Sequence, residues 1–215
     1  HTAARPELYH KLVTLPDYQG IPERVGTLER LLGVDLQANF DNDRIWRAGF
    51  SGKKSGVSDH NRIVERQDAR YGYYWPSYDS AGDQERQNFS RFPLGPKFPG
   101  RQNFGAFDHD GGEFIFSLPN GLQGYMLAKS TGERIDAGPQ SIVRDPNQYG
   151  GTYDILNGIS CIGCHKHGMR TFTDAIRSQF EDRSGDIADK VRRLYPKKED
   201  MDRLVTQDRE RFLRA

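Results

Sequence analysis

Both cysteines of this 215-residue chain fall in one five-residue run, Cys161-Ile162-Gly163-Cys164-His165. Two thiols at this spacing have three chemical uses: a reversible disulfide, half of a zinc site, or addition to the two vinyl groups of haem. The disulfide use calls for a βαβ surround, and no such alternation flanks the run. Zinc needs four ligands in a tetrahedron, and His165 and His167 crowd too close to the thiols to complete that set. His165, immediately after the second cysteine, fits haem attachment with no further residue. The expectation is one covalent haem c, bonded to Cys161 and Cys164, with His165 as the proximal iron ligand.

The run resembles the attachment motif of c-type cytochromes. Three neighbouring stretches extend the likeness: His109-Asp110-Gly111-Gly112-Glu113, Leu118-Pro119-Asn120-Gly121-Leu122-Gln123-Gly124-Tyr125 and Asn157-Gly158-Ile159-Ser160. Together they are similar to haem-binding regions of secreted bacterial proteins, a family that brings no established activity. The resemblance implies a location in a bacterial periplasm or at the cell surface, where c-type haem is attached. It also implies a redox partner protein, and a place within a larger secreted protein.

The residue opposite His165 separates electron transfer from ligand binding or catalysis. Met201, 36 residues on, precedes an amphipathic stretch but shares its face with Leu204 and Val205. His109 sits in a Gly-rich turn ahead of a strand, beside Asp108 and Asp110. Met126 lies in a strand between Tyr125 and Leu127, where packing is its expected use. Met169 and His167 are too near His165 to cross to the other side of the iron. His10 and His60 read as surface histidines. His1 would chelate copper only with a second histidine beside it. An unfilled sixth position is the remaining option.

These residues need elements to hold them. Residues 21–33 read as a short helix, with Pro22 in its first turn and Gly33 as its cap. Arg44–Phe50, Asn61–Arg66 and Tyr71–Tyr78 are strand-like. Glu113–Leu118 and Leu122–Ala128 flank Pro119-Asn120-Gly121, a hairpin signal. Phe92–Gly105, rich in Pro and Gly, reads as a long loop. Past the motif the period becomes helical: Phe172, Ile176 and Phe180 with Thr171 or Thr173 as cap, then Ile187, Val191 and Leu194 ending at Pro196, then Met201, Leu204, Val205 and Phe212. The expected architecture is α+β, a β-rich body (1–152) followed by a helical haem segment (153–215), packed as one unit.

Composition narrows the function. Thirty-one Lys+Arg against 30 Asp+Glu leave a net charge of +1, without the basic excess of a nucleic-acid binder. No stretch offers the roughly 20 apolar residues of a membrane helix. Twelve Phe, ten Tyr and two Trp make an aromatic core and argue against a disordered chain. Arg62, Glu65, Arg66 and Arg70 alternate along a strand and read as its solvated face, or as clamps for haem propionates. No phosphate loop or nucleophile triad is present, so haem is the chemical resource. Two functions use it: an electron-transfer module with a protein side chain as sixth ligand, or a haem enzyme or small-ligand binder with His109, Arg62 or Glu113 as acid–base groups.

Overall fold

A computed structural model describes residues 5–50, 60–80, 82, 84–96 and 105–215. His1 and the core of the Phe92–Gly105 loop, residues 97–104, lie outside the described residues.

Aromatic and β-branched residues in alternation build one six-stranded antiparallel sheet. Its strands are β3 (Trp46–Phe50), β4 (Asn61–Ala69), β5 (Gly72–Ser80), β6 (Gly111–Ser117), β7 (Gln123–Lys129) and β8 (Arg134–Ile135), hydrogen-bonded in chain order. Ser117 pairs with Gln123 across the Pro119-Asn120-Gly121 turn, so the expected hairpin forms. Two small ribbons join it: β1 (Thr14–Leu15) with β2 (Tyr18–Gln19), and β9 (Ala137–Gly138) with β10 (Ile155–Leu156).

Helices cover both faces of the sheet. On one face lie α2 (Val25–Leu32) and α3 (Leu36–Asp41), tied down where Tyr74 donates to Glu29 at 3.1 Å and Asn39 to Gln67 at 2.9 Å. On the other lie α1 (Pro6–Leu12), α4 (Ile159–Cys164) and α6 (Lys198–Leu213), the last anchored where Trp75 donates to Asp208 at 2.8 Å. Helix α5 (Asp186–Leu194) packs beyond β3, its Lys190 reaching Asp43 at 2.6 Å. Helix takes 31% and strand 27%, with the sheet in the N-terminal body and α6 at the C-terminal end, which is the expected α+β class.

Two-sided cover explains the charges on β4. Arg62, Glu65 and Arg66 are buried, not solvated. Arg62 grips Asp79 with Nε and Nη2 at 2.7 and 2.8 Å and reaches Glu113 at 3.1 Å. Arg66 pairs with Asp208 at 3.2 Å. Glu65 pairs with Arg47, its registered neighbour on β3. A charge sealed under two layers persists because it is paired. Of the four charged residues read as propionate clamps, the three buried ones are thus already engaged.

Three helical expectations change. The helix expected over 21–33 is α2 and begins at Val25, with Arg24 as its N-cap, so Pro22 precedes it; Gly33 caps it as expected, at φ 69°. Residues 170–176 are not helical: Phe172 and Ile176 belong to a strap across β3, followed by one 3-10 turn, Arg177–Phe180. Helix α5 turns Ala188, Val191 and Leu194 inward and leaves Ile187 exposed.

Candidate haem site

The motif occupies α4 and the residue that caps it. Asn157-Gly158-Ile159-Ser160 seats this helix. Asn157 Oδ1 accepts from Leu127 N at 3.1 Å, and its Nδ2 donates to His10 Nε2 at 2.7 Å. Ser160 Oγ accepts from Leu156 N at 3.0 Å. Gly158 has φ 75°, and a Cβ there would stand 2.1 Å from the Tyr9 ring, so only glycine lets α1 close over this turn. Tyr9 in turn accepts from Tyr125 N at 2.7 Å. His10 is therefore an interior histidine, 5% exposed, not a surface one. His60 is half-buried, with Nε2 3.1 Å from Ser141 O.

Strand alternation decides what faces the motif. The Tyr125 ring lies 6.1 Å from that of His165, so the sheet face carrying Tyr125 looks onto α4. Trp75, Ile115 and Tyr125 form one rung of that face, and Val64, Ser77 and Glu113 another. Between it and the chain from α4 to Phe172 lies a partly open cavity of about 970 Å³ with its mouth included. Cys161, Cys164 and His165 line it, as do Arg62, Glu113, Met169, Arg170 and Phe172.

His165 is held in a usable state. Its Nδ1 is 3.3 Å from Gly168 O; a carbonyl only accepts, so Nδ1 carries the proton and Nε2 is left as a Lewis base. Gly168 makes that carbonyl available by turning at φ 83°, and its N–H closes back on His165 O at 2.8 Å. Burial pushes the imidazole's pKa down and keeps the ring neutral, the form that binds metal.

Both thiols are free, Cys161 buried and Cys164 half-buried. Burial pushes both up in pKa, aided at Cys161 chiefly by the Glu113 charge and at Cys164 by Asp145 and then Glu113. Exchange-active thiols are shifted the other way. Among the described residues no group of three or more His, Cys, Asp or Glu could hold a metal ion. The lining has the groups a c-type haem would use: apolar and aromatic walls, two thiols and the His165 imidazole. Arg170 also lines the cavity, exposed and free of any ion pair among the described residues.

The expected distal candidates stand elsewhere. His109 packs edge-on against Tyr78 at 5.0 Å; Tyr78 follows the cavity-facing Ser77, so both belong to the opposite face of the sheet. Met201 is buried with Val205 in the core side of α6 and does not line the cavity. Met126 follows Tyr125 and opposes Phe114, so its side chain also turns to the other face, although its strand borders the cavity. Met169 lines the cavity, beside Gly168 on the His165 side. Reasoning from sequence missed Trp75 and Ser77; alternation from Tyr125 finds them once the register is known.

Comparison of the chain with protein-family models, curated proteins and solved structures finds no match. Among the described residues no helix is long and apolar enough to cross a membrane.

Proposed function

We propose that this chain is a monohaem c-type protein, with thioether bonds at Cys161 and Cys164 and His165 Nε2 as proximal ligand. The observation that carries this reading is the Nδ1 contact to Gly168 O inside a cavity shared with both thiols. Haem bound there supplies one-electron exchange and small-ligand binding at its iron. Arg170 is the cation suited to a propionate.

The wall across from His165 favours an open sixth position. Its polar members are Arg62, Ser77 and Glu113, and its remaining side chains are aliphatic or aromatic. Arg62 is fixed by Asp79 and Glu113, whereas Glu113 commits only Oε2 to it. A fixed cation beside a carboxylate suits a small polar ligand such as a peroxide, with electrons exchanged with a redox partner protein. Outside the cytoplasm, in a bacterial periplasm or at the cell surface, is the setting this reading implies. The plain electron carrier is the second reading; Met169 stands on the His165 side of the cavity and does not supply its sixth ligand.

Extraction with acidified organic solvent and optical spectra test these readings together. Porphyrin should stay on the polypeptide, and the ferric form should be high-spin and bind cyanide. Freely extracted haem, or a colourless protein that takes up zinc, sinks the haem assignment. A low-spin ferric form that ignores cyanide moves the function to electron transfer.

A further inference from the structure

The chain has two tryptophans, and the sheet sets both on one rung. Trp46 of β3 is the registered partner of Arg66 on β4. Pairing of Val64 with Ser77 and of Gln67 with Tyr74 brings Trp75 of β5 opposite that same Arg66. At about 4.8 Å per strand the two tryptophan backbones are ~10 Å apart and their side chains share a face. Trp75 lines the cavity of the candidate haem site and is 2% exposed; Trp46 is half-buried on the edge strand.

What lies between them is charged. The Trp75 indole donates to Asp208 Oδ2 at 2.8 Å. Buried Asp208 also accepts from Arg66 Nε and Nη2 at 3.2 and 3.3 Å. The Arg66 guanidinium in turn lies over the Trp46 ring, 5.4 Å from its centre. Any backbone carbonyl would satisfy an indole N–H, yet this fold takes an ion pair out of water to do so. The carboxylate favours positive charge on Trp75, and the guanidinium disfavours it on Trp46. An electron vacancy therefore rests at Trp75 and crosses Trp46 only in passing.

We propose that Trp75 and Trp46 are the electron route between the cavity and a one-electron donor at the edge of β3, with Asp208 as the base for Trp75. This rests on the haem reading, with hydrogen peroxide as the oxidant. Peroxide takes up two electrons and two protons and leaves as two waters. With haem bound in the cavity, peroxide would draw an electron from Trp75, whose indole proton crosses to Asp208 Oδ2. Trp46 refills Trp75, the proton returns from Asp208 to the indole nitrogen, and the donor refills Trp46. A second donor electron would reach the cavity by the same path. The net change is one peroxide and two protons to two waters, with two donors each oxidised by one electron.

The test is electron paramagnetic resonance of haem-loaded protein frozen after mixing with hydrogen peroxide. The optical haem spectrum, taken first on the same sample, separates failure of the haem reading from failure of the route. The expected signal is a tryptophan radical whose splitting changes with ring-deuterated tryptophan, a measurement that needs no variant. Trp75→Phe should abolish it. Trp46→Phe should keep it and lengthen its lifetime in ferrocyanide tenfold or more. A loaded protein that gives a tyrosine radical or none, or a lifetime indifferent to Trp46→Phe, overturns the route.

Discussion

Arg62 holds two carboxylates at once, and the residue-scale consequences are unequal. Removing it by Arg62→Met leaves Asp79 and Glu113 facing each other without a cation, Asp79 being buried. Breaking a buried pair from one side costs about 3–5 kcal/mol. Glu113→Gln leaves the two-pronged Arg62–Asp79 bond intact and should cost about 1 kcal/mol. Urea denaturation measures both; equal losses would show that the pair does not carry the load assigned to it. The contrast also shows what the sequence makes legible. Cys161, Cys164 and His165 can be read directly, because they are neighbours in the chain, and the structure sets all three on one cavity. A distal residue is fixed by layer instead, and His109 and Met201 carry no mark of the layer they occupy. Arg62, Glu65 and Arg66 look like a solvated face because alternation marks two faces without saying that both are covered.

The strap at 170–176 shows the same limit at the scale of the element. Phe172, Ile176 and Phe180 have helical spacing, yet the backbone bonds to β3: Ala175 N donates to Gly49 O at 2.7 Å, and Asp174 Oδ1 accepts from Gly49 N at 2.8 Å. Asp174 also takes the N–H groups of Ile176 and Arg177, at 3.2 and 2.7 Å. An aspartate that offers the backbone other partners competes with the helix. Phe172 then stacks on Phe50 at 5.8 Å and closes one end of the cavity. Asp174→Ala should cost about 1–3 kcal/mol for each donor left unpaired in the interior. Hydrogen exchange should accelerate across 170–177 and stay unchanged in the 111–129 hairpin; uniform acceleration would contradict a local latch. The hairpin itself was readable in full, since its turn residues act within four positions.

At the scale of the whole molecule, the face opposite the cavity carries two half-buried groups whose titrations pull stability in opposite directions. Burial pushes the Glu29 carboxyl up to about 7 and His109 down to about 4. The folded chain keeps the Glu29 proton that the unfolded chain loses near 4.5, so this contribution is full below 4.5 and fades as pH rises through 7. His109 stays neutral where the unfolded chain takes a proton near 6.5, so its contribution is full above 6.5 and fades as pH falls through 4. Each is worth at most about 3 kcal/mol at 1.36 kcal/mol per pH unit. Between pH 4.5 and 6.5 the two slopes oppose. Glu29→Gln should therefore stabilise the protein at pH 8 and hardly at all at pH 4, and His109→Gln should flatten the acid arm. Urea titrations across pH decide, and a Glu29→Gln gain equal at both ends would refute the assignment. The buried position of Cys161 has a consequence for biogenesis. A thiol buried in the wall of a cavity is hard for an attachment machinery to reach in the finished protein. On the proposed haem reading, haem is added while the chain is still open, so maturation is a race between ligation and folding. Folded apoprotein mixed with haem and reductant should stay colourless, and the same chain unfolded in urea, given haem and then refolded, should gain covalent colour. Equal loading by both routes would mean that the fold breathes enough to admit the cofactor late.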